Sequence, residues 1–417
     1  MDFPISRLEG GVGAPLGFRT AAISCGIKNP AVERLDLGLI VSDTPCTSAG
    51  TFTTNRVKAA PVRLSQAHLR KGELRAVIAN SGNANACTGV QGIQDAKQMC
   101  HGVAKPLGLK RSEIGVCSTG VIGLPMPMVR ITPKFDELVG ALNAGSGNPF
   151  AKAIITSDTH EKEIAISFDL GGHEVRIGGC VKGAGMISPS MATMLCFITT
   201  DANVPHEELR KGVQEAVDES FNRITIDGDM STNDTVLVLA NGASGMPPIR
   251  RGGESCKPFR EALRWVMLEL AKAVVRDGER VTKFVTVDVK GGRTYLEAKK
   301  VAEAVCKSAL VKSSWNGGDP NWGRVLHAVG YSGARIREEL VDILYDGKPA
   351  CLGGLQAPSA MEELREIAAQ AAFNITIHLN QGSAEYTMYS SDLSPEYIDF
   401  NRSEYAYWKQ ARKDGLV

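Results

Sequence analysis

Over the first eighty residues the apolar positions have the short period of strands. Leu37–Val41, Ser48–Thr54 and Ala76–Ala79 are compact apolar or β-branched runs between turn residues, and each is expected to form a strand. The last empties into Asn80-Ser81-Gly82-Asn83-Ala84-Asn85-Ala86-Cys87-Thr88-Gly89, where so many asparagines suit either a structural polar network or the wall of a site. From Gln91 the period lengthens, and a helix is expected to run to Lys105, with Pro106 just past its end. Ile114–Gly123 places apolar dipeptides on both sides of a Ser118-Thr119-Gly120 turn. A short apolar run from Ala151 leads into Thr156-Ser157-Asp158-Thr159, which reads as a capped turn, and Ile164–Ile177 alternates like a hairpin around Gly171-Gly172.

The middle of the chain breaks this rhythm. Lys182-Gly183-Ala184-Gly185-Met186-Ile187-Ser188-Pro189-Ser190 is glycine-rich and ends in Ser-Pro-Ser, poor material for a helix or strand. An apolar run with the look of a buried strand then begins abruptly at Met191-Ala192-Thr193-Met194-Leu195 and continues to Thr200. Helical spacing returns at Leu209, Val213, Val217 and Phe221, and again at Phe259, Leu263, Val266, Met267, Leu270 and Val274. The second of these helices ends in Asp277-Gly278-Glu279, where Glu279 is either a solvated charge or a placed carboxylate. A strand is expected at Lys283–Val289, helices at Tyr295–Ala309 and Ser359–Ala372, and strands at Ile375–Leu379 and Glu385–Tyr389. The class is α/β of the mixed α+β kind, with layered sheets and helices.

Composition narrows the chemistry. A chain of 417 residues that is 43% apolar exceeds the usual size of a single core, so two or three subdomains are expected. The net charge of +1 gives no reason to expect a nucleic-acid or membrane partner. Ten cysteines without a CxxC pair fit reduced thiols in a cytoplasmic protein. Met1-Asp2-Phe3-Pro4-Ile5 has neither a basic nor an apolar region of the kind a signal peptide needs, and none is expected. Seven histidines form no HExxH or HxH pair, so no metal is expected. The acidic loop Asp227–Thr235 lacks the spacing and closing glutamate of a calcium loop. Gly318–Val325 has the glycine spacing of a phosphate loop, but Arg324 and Val325 stand where lysine and a magnesium-binding hydroxyl belong.

Two places can carry chemistry. Thr193 puts a hydroxyl where a glycine-rich loop enters a rigid strand, a suitable post for a nucleophile, although β-branched residues also start strands for purely structural reasons. Thr119-Gly120 can offer a side-chain hydroxyl and an unhindered N–H to one point, as an oxyanion requires. Replacing Gly120 by proline is expected to remove that N–H with less effect on folding than on turnover.

Several longer motifs go further. Gly50–Asn55 (GTFTTN), Asn80–Gly89 (NSGNANACTG), Ser118–Gly123 (STGVIG), Lys182–Leu195 (KGAGMISPSMATML), Asp227–Val236 (DGDMSTNDTV), Asp277–Glu279 with Thr282-Lys283, and Asp319–Arg324 (DPNWGR) occur in this order along nearly the whole chain. In these the chain resembles the self-cleaving ornithine acetyltransferases, also called glutamate N-acetyltransferases, of the cyclic arginine pathway. The resemblance implies their self-processing fold, with a smaller C-terminal α/β subdomain from about residue 290. It implies autocatalytic cleavage of the Ala192–Thr193 bond into an α chain, 1–192, and a β chain, 193–417, that stay together. It implies acetyl transfer from N2-acetyl-L-ornithine to L-glutamate through Thr193, with Thr119 and Gly120 as the oxyanion hole. Thr156, Lys182, Thr193, Glu279 and Asn401 match the substrate-contacting positions. No cofactor is implied; acetyl-CoA is a candidate second donor, which would make the enzyme multifunctional, and a dimer of αβ units is the implied assembly. The alternative is an aminopeptidase or amidase of similar self-cleaving fold that passes its acyl group to water. The chain departs from the family pattern at Arg280-Val281, where Gly-Ala is usual, and around Asn401–Tyr407, where the tyrosine comes one residue late and Ala406 supplies no hydroxyl.

Overall fold

The computed structural model describes residues 4–70, 72–188, 194–402 and 409. Two sheets stack face to face. One has six strands in the order Ser6–Leu8, Lys162–Asp169, Glu174–Lys182, Leu195–Thr200, Thr235–Ala240 and Thr47–Phe52. The other has five, in the order Ile114–Ser118, Ala76–Asn80, Leu37–Ser42, Phe18–Ile23 and Asn143–Ala144. Alternation along the strands makes this stacking possible. Leu195 and Phe197 join Ile40, Val77, Ala79 and Cys117 in a core between the sheets, where Phe197 meets Phe150 edge-on at 5.1 Å. Cys196 and Ile198 point the other way, into a core shared with the helices His206–Asp218 and Cys256–Arg276. On the far side of the second sheet, Leu37, Leu39, Ile78 and Val116 pack with the helix Gly89–Leu107. The result is four layers, helix, sheet, sheet, helix.

A third sheet carries the C-terminal part, in the order Ile224–Thr225, Ala384–Ser391, Phe284–Gly292, Ala372–His378, Asp342–Tyr345, Lys348–Leu352 and Leu355–Gln356. Ile224 pairs with Tyr389, which ties this sheet to the four-layer body. The chain is therefore mixed α+β, with parallel and antiparallel pairs in all three sheets.

The expected elements shift in a few places. The helix expected at Gln91–Lys105 runs Gly89–Leu107 with Pro106 inside its last turn, and Gly108 closes it at φ +66°. The apolar run Tyr295–Ala309 ends as a helix at Lys307, because Ser308 is extended and caps a new helix, Ala309–Asn316, by accepting from Val311 N–H. The rejected phosphate loop starts the helix Trp322–Gly330, with the Asn321 side chain accepting from Arg324 N–H. Among the described residues, no helix is long and apolar enough to cross a membrane.

Candidate active site

Strand register builds the site. In the six-stranded sheet Lys182, the last residue of its strand, lies beside Leu195, and Leu195 lies beside Thr235. In the neighbouring sheet Ser118 and Asn80, both last in their strands, lie side by side. The two ends face one cleft of about 640 Å³, whose wall includes Thr119, Gly120, Thr156, Lys182, Glu279 and Asn401. Six of the residues singled out in the sequence are thus brought together. Ala192 and Thr193, the expected cleavage pair, lie outside the described residues. Met194, next in the chain, is fixed from both sides: its N–H donates to Asp234 Oδ1 at 3.1 Å, and its carbonyl accepts from Thr235 N–H at 3.0 Å.

Thr119 and Gly120 leave their strand into a tight turn. Thr119 N–H and Val121 N–H donate to the carbonyls of Asn80 and Gly82, whereas the Gly120 N–H between them has no acceptor among the described residues. Only glycine fits here: φ is +130°, and a Cβ would come within 2.3 Å of the Gly82 carbonyl carbon. Proline cannot reach that φ, so the expectation for Gly120→Pro is corrected: it would break the turn itself and could not isolate one hydrogen bond. The asparagine-rich loop holds this turn from behind. Asn83 Nδ2 donates to the Leu124 and Pro125 carbonyls, and Asn80 Nδ2 to that of Asn83. From the other sheet, Asn233 Nδ2 reaches the carbonyls of Ala84, at 2.6 Å, and Ser118, at 2.8 Å.

Lys182 is 3% exposed and its Nζ lies 3.4 Å from Thr119 Oγ1. Burial pulls its ammonium below the ordinary lysine range; Asp158 opposes that most strongly, Lys162 adds to it, and Glu279 and Asp234 oppose it further. Burial would raise Asp158, but Lys182 and Lys162 together hold its carboxyl well below the usual range. Asp234, buried against Met194 N–H, is pushed well above that range by desolvation, which favours the neutral acid.

The same cleft is lined by Glu279. Its N–H donates to the Ala184 carbonyl at 2.8 Å, and a Cβ on Gly185 would sit 2.6 Å from its carboxylate, so the glycine pair makes room for the acid. Asn401 Nδ2 donates to Glu279 Oε2 at 3.3 Å. Glu279 is thus a placed carboxylate. Arg280 does not compete for it: its guanidinium lies 5.0 Å over the Phe400 ring. Arg280 sits at φ +57°, which explains why glycine suits this position. Asp227 serves the backbone, accepting from Met186 N–H at 2.6 Å and Ile187 N–H at 2.9 Å.

Sequence reasoning missed several contributors. Asp158 sat in a segment read as a capped turn, and Lys162 at the end of that segment, before the run read as a hairpin from Ile164; in the structure Lys162 opens the strand Lys162–Asp169. Lys28 and Arg34 also line the cleft, from a loop that has no periodicity to betray it. Asp277, by contrast, lies within the Asp-Gly-Glu motif and was marked by it.

Comparison with known proteins assigns the family. Residues 19–406 match the ArgJ family. The arginine biosynthesis bifunctional protein ArgJ of Symbiobacterium thermophilum is 47% identical over 95% of this chain and 98% of its own. The glutamate N-acetyltransferase of Methanocaldococcus jannaschii is 43% identical over 94% of this chain and 98% of its own. A crystal structure of the arginine biosynthesis bifunctional protein argJ from Bacillus halodurans is 34% identical, covering 50% of this chain and 98% of that chain, with a TM-score of 0.48. The chain belongs to the ArgJ family, and is an acyltransferase of arginine biosynthesis.

Proposed function

We propose that this chain is a self-processing enzyme that moves acetyl from N2-acetyl-L-ornithine to L-glutamate through an ester on Thr193. The observation that carries the reading is the convergence of Thr119, Gly120, Thr156, Lys182, Glu279 and Asn401 on one cleft, at the sheet end that leads to Met194. In the processing step, Thr193 Oγ attacks the Ala192 carbonyl carbon, the Ala192–Thr193 amide breaks, and water hydrolyses the resulting ester. This leaves chains 1–192 and 193–417 and a free α-amine on Thr193, with a reference pKa of about 7.7–8.0. That amine takes the proton of its own hydroxyl, so no histidine is needed.

In the transfer step, Thr193 Oγ attacks the acetyl carbonyl. The oxyanion that develops is met by Thr119 Oγ1 and the Gly120 N–H, and ornithine leaves with the proton. The glutamate amine then attacks the acetyl ester and restores the hydroxyl. Lys182 suits the carboxylate of either substrate, while Glu279, with Asn401 on its Oε2, suits a cationic amine; Thr156 adds a hydroxyl to the same cleft. The name bifunctional among the relatives supports acetyl-CoA as a second donor to the same Thr193. The reading includes a cytoplasmic location and a dimer of αβ units.

The test is the fate of the acetyl group. Purified protein given N-acetylornithine, or acetyl-CoA, together with glutamate should produce N-acetylglutamate. Production of acetate alone would favour a hydrolase, the aminopeptidase or amidase reading.

A further inference from the structure

Behind the cleft lies a chain of buried charges that the reaction itself does not use. The side chains of Lys162, Asp158 and Asp277 are 1%, 0% and 3% exposed. Lys162 Nζ lies 2.7 Å from Asp158 Oδ1 and 2.5 Å from Asp277 Oδ2. None of the three lines the cleft. Buried ion pairs often add no net stability over apolar residues of the same shape, so stability alone is a poor reason for three charges here. A buried network of this kind does fix the geometry of whatever hangs from its ends.

What hangs from these ends is the substrate wall. Asp158 accepts from Thr156 N–H at 3.0 Å and from Gly183 N–H, next to Lys182, at 2.8 Å. Asp277 accepts from the N–H and hydroxyl of Thr159, and stands two residues before Glu279. Thr156, Lys182 and Glu279 are therefore each within two residues of a group bound to, or belonging to, this network. Lys162 and Asp277 also fall on opposite sides of residue 193, so chain cleavage would leave their ion pair bridging the two fragments.

We propose that Asp158, Lys162 and Asp277 are positioning residues that hold Lys182 and Glu279 in register with each other in the substrate cleft. The proposal rests on the reading that Lys182 and Glu279 grip the substrate. Asp277→Asn keeps the size of the side chain and an acceptor for Thr159, but removes the charge facing Lys162. Lys162→Met removes the cation, and Lys162→Arg keeps it.

With self-cleavage and a melting curve as controls, Asp277→Asn and Lys162→Met should raise KM for N-acetylornithine and glutamate by roughly 10- to 100-fold, the scale of a small misplacement of binding groups. The effect on kcat should be smaller, and Lys162→Arg should recover part of the lost affinity. A folded, cleaved Asp277→Asn enzyme with wild-type KM overturns the proposal. So does an Asp277→Asn chain that never folds, because the network is then structural only. If the wild-type protein itself transfers no acetyl from N-acetylornithine, the underlying functional reading has failed instead.

Discussion

Thr119 is the residue whose role is most cleanly separable from folding. Its hydroxyl is 3.4 Å from Lys182 Nζ, and its own N–H is already used by Asn80. Thr119→Val keeps shape and backbone while deleting the hydroxyl. Turnover should fall about 10²- to 10³-fold, the usual cost of one oxyanion donor, with the melting temperature nearly unchanged. An unchanged kcat would leave Thr119 a turn residue. Lys182 gives a second handle. In its proposed role it must be protonated to hold a carboxylate, and burial depresses its ammonium. Donor kcat/KM should therefore fall along an alkaline limb that begins below the ordinary lysine value of about 10.4. Asp158 is the strongest of the groups opposing that depression, ahead of Glu279 and Asp234, while Lys162 works against them. Asp158→Asn should therefore move the limb to lower pH, and a limb that stays in place would mean Lys182 is not the titrating group.

Among the elements, the strand Leu195–Thr200 does most to place the site, because it lies between Lys182 on one side and Thr235 on the other. Its two faces fill two different cores, and Phe197, 1% exposed, belongs to the core between the sheets. Phe197→Ala should destabilise the protein by about 3–5 kcal/mol in denaturant titration. A loss below 1 kcal/mol would mean the two sheets do not depend on this contact. The strand was legible in the sequence as an apolar run, since burial on both faces removes the polar positions that would otherwise interrupt it. The helices Ala309–Asn316 and Trp322–Gly330 were not read out, because their start signals, Ser308 and Asn321, are single side-chain caps inside stretches that look like a helix tail and a phosphate loop. The site was legible where long motifs carry it. Asp158 and Lys162 were not, because a buried ion pair between a loop residue and the first residue of a strand leaves no periodic trace.

At the scale of the whole molecule, the proposed cut would separate strands that belong to one sheet. Glu174–Lys182 lies before residue 193, Leu195–Thr200 after it, and they pair antiparallel from Lys182 with Leu195 to Ile177 with Thr200. Two fragments joined in this way share cores as well as hydrogen bonds, so cleavage need not open the fold. The proposed chemistry then depends on Thr193. The most direct measurement is the intact mass of the denatured protein after incubation with N-acetylornithine alone, followed by the same measurement after glutamate is added. The expected result is a fragment that begins at Thr193, carries one acetyl group on that residue, and loses it to glutamate. An uncut chain, or a cut chain in which Thr193 never takes up acetyl, would contradict the proposed mechanism.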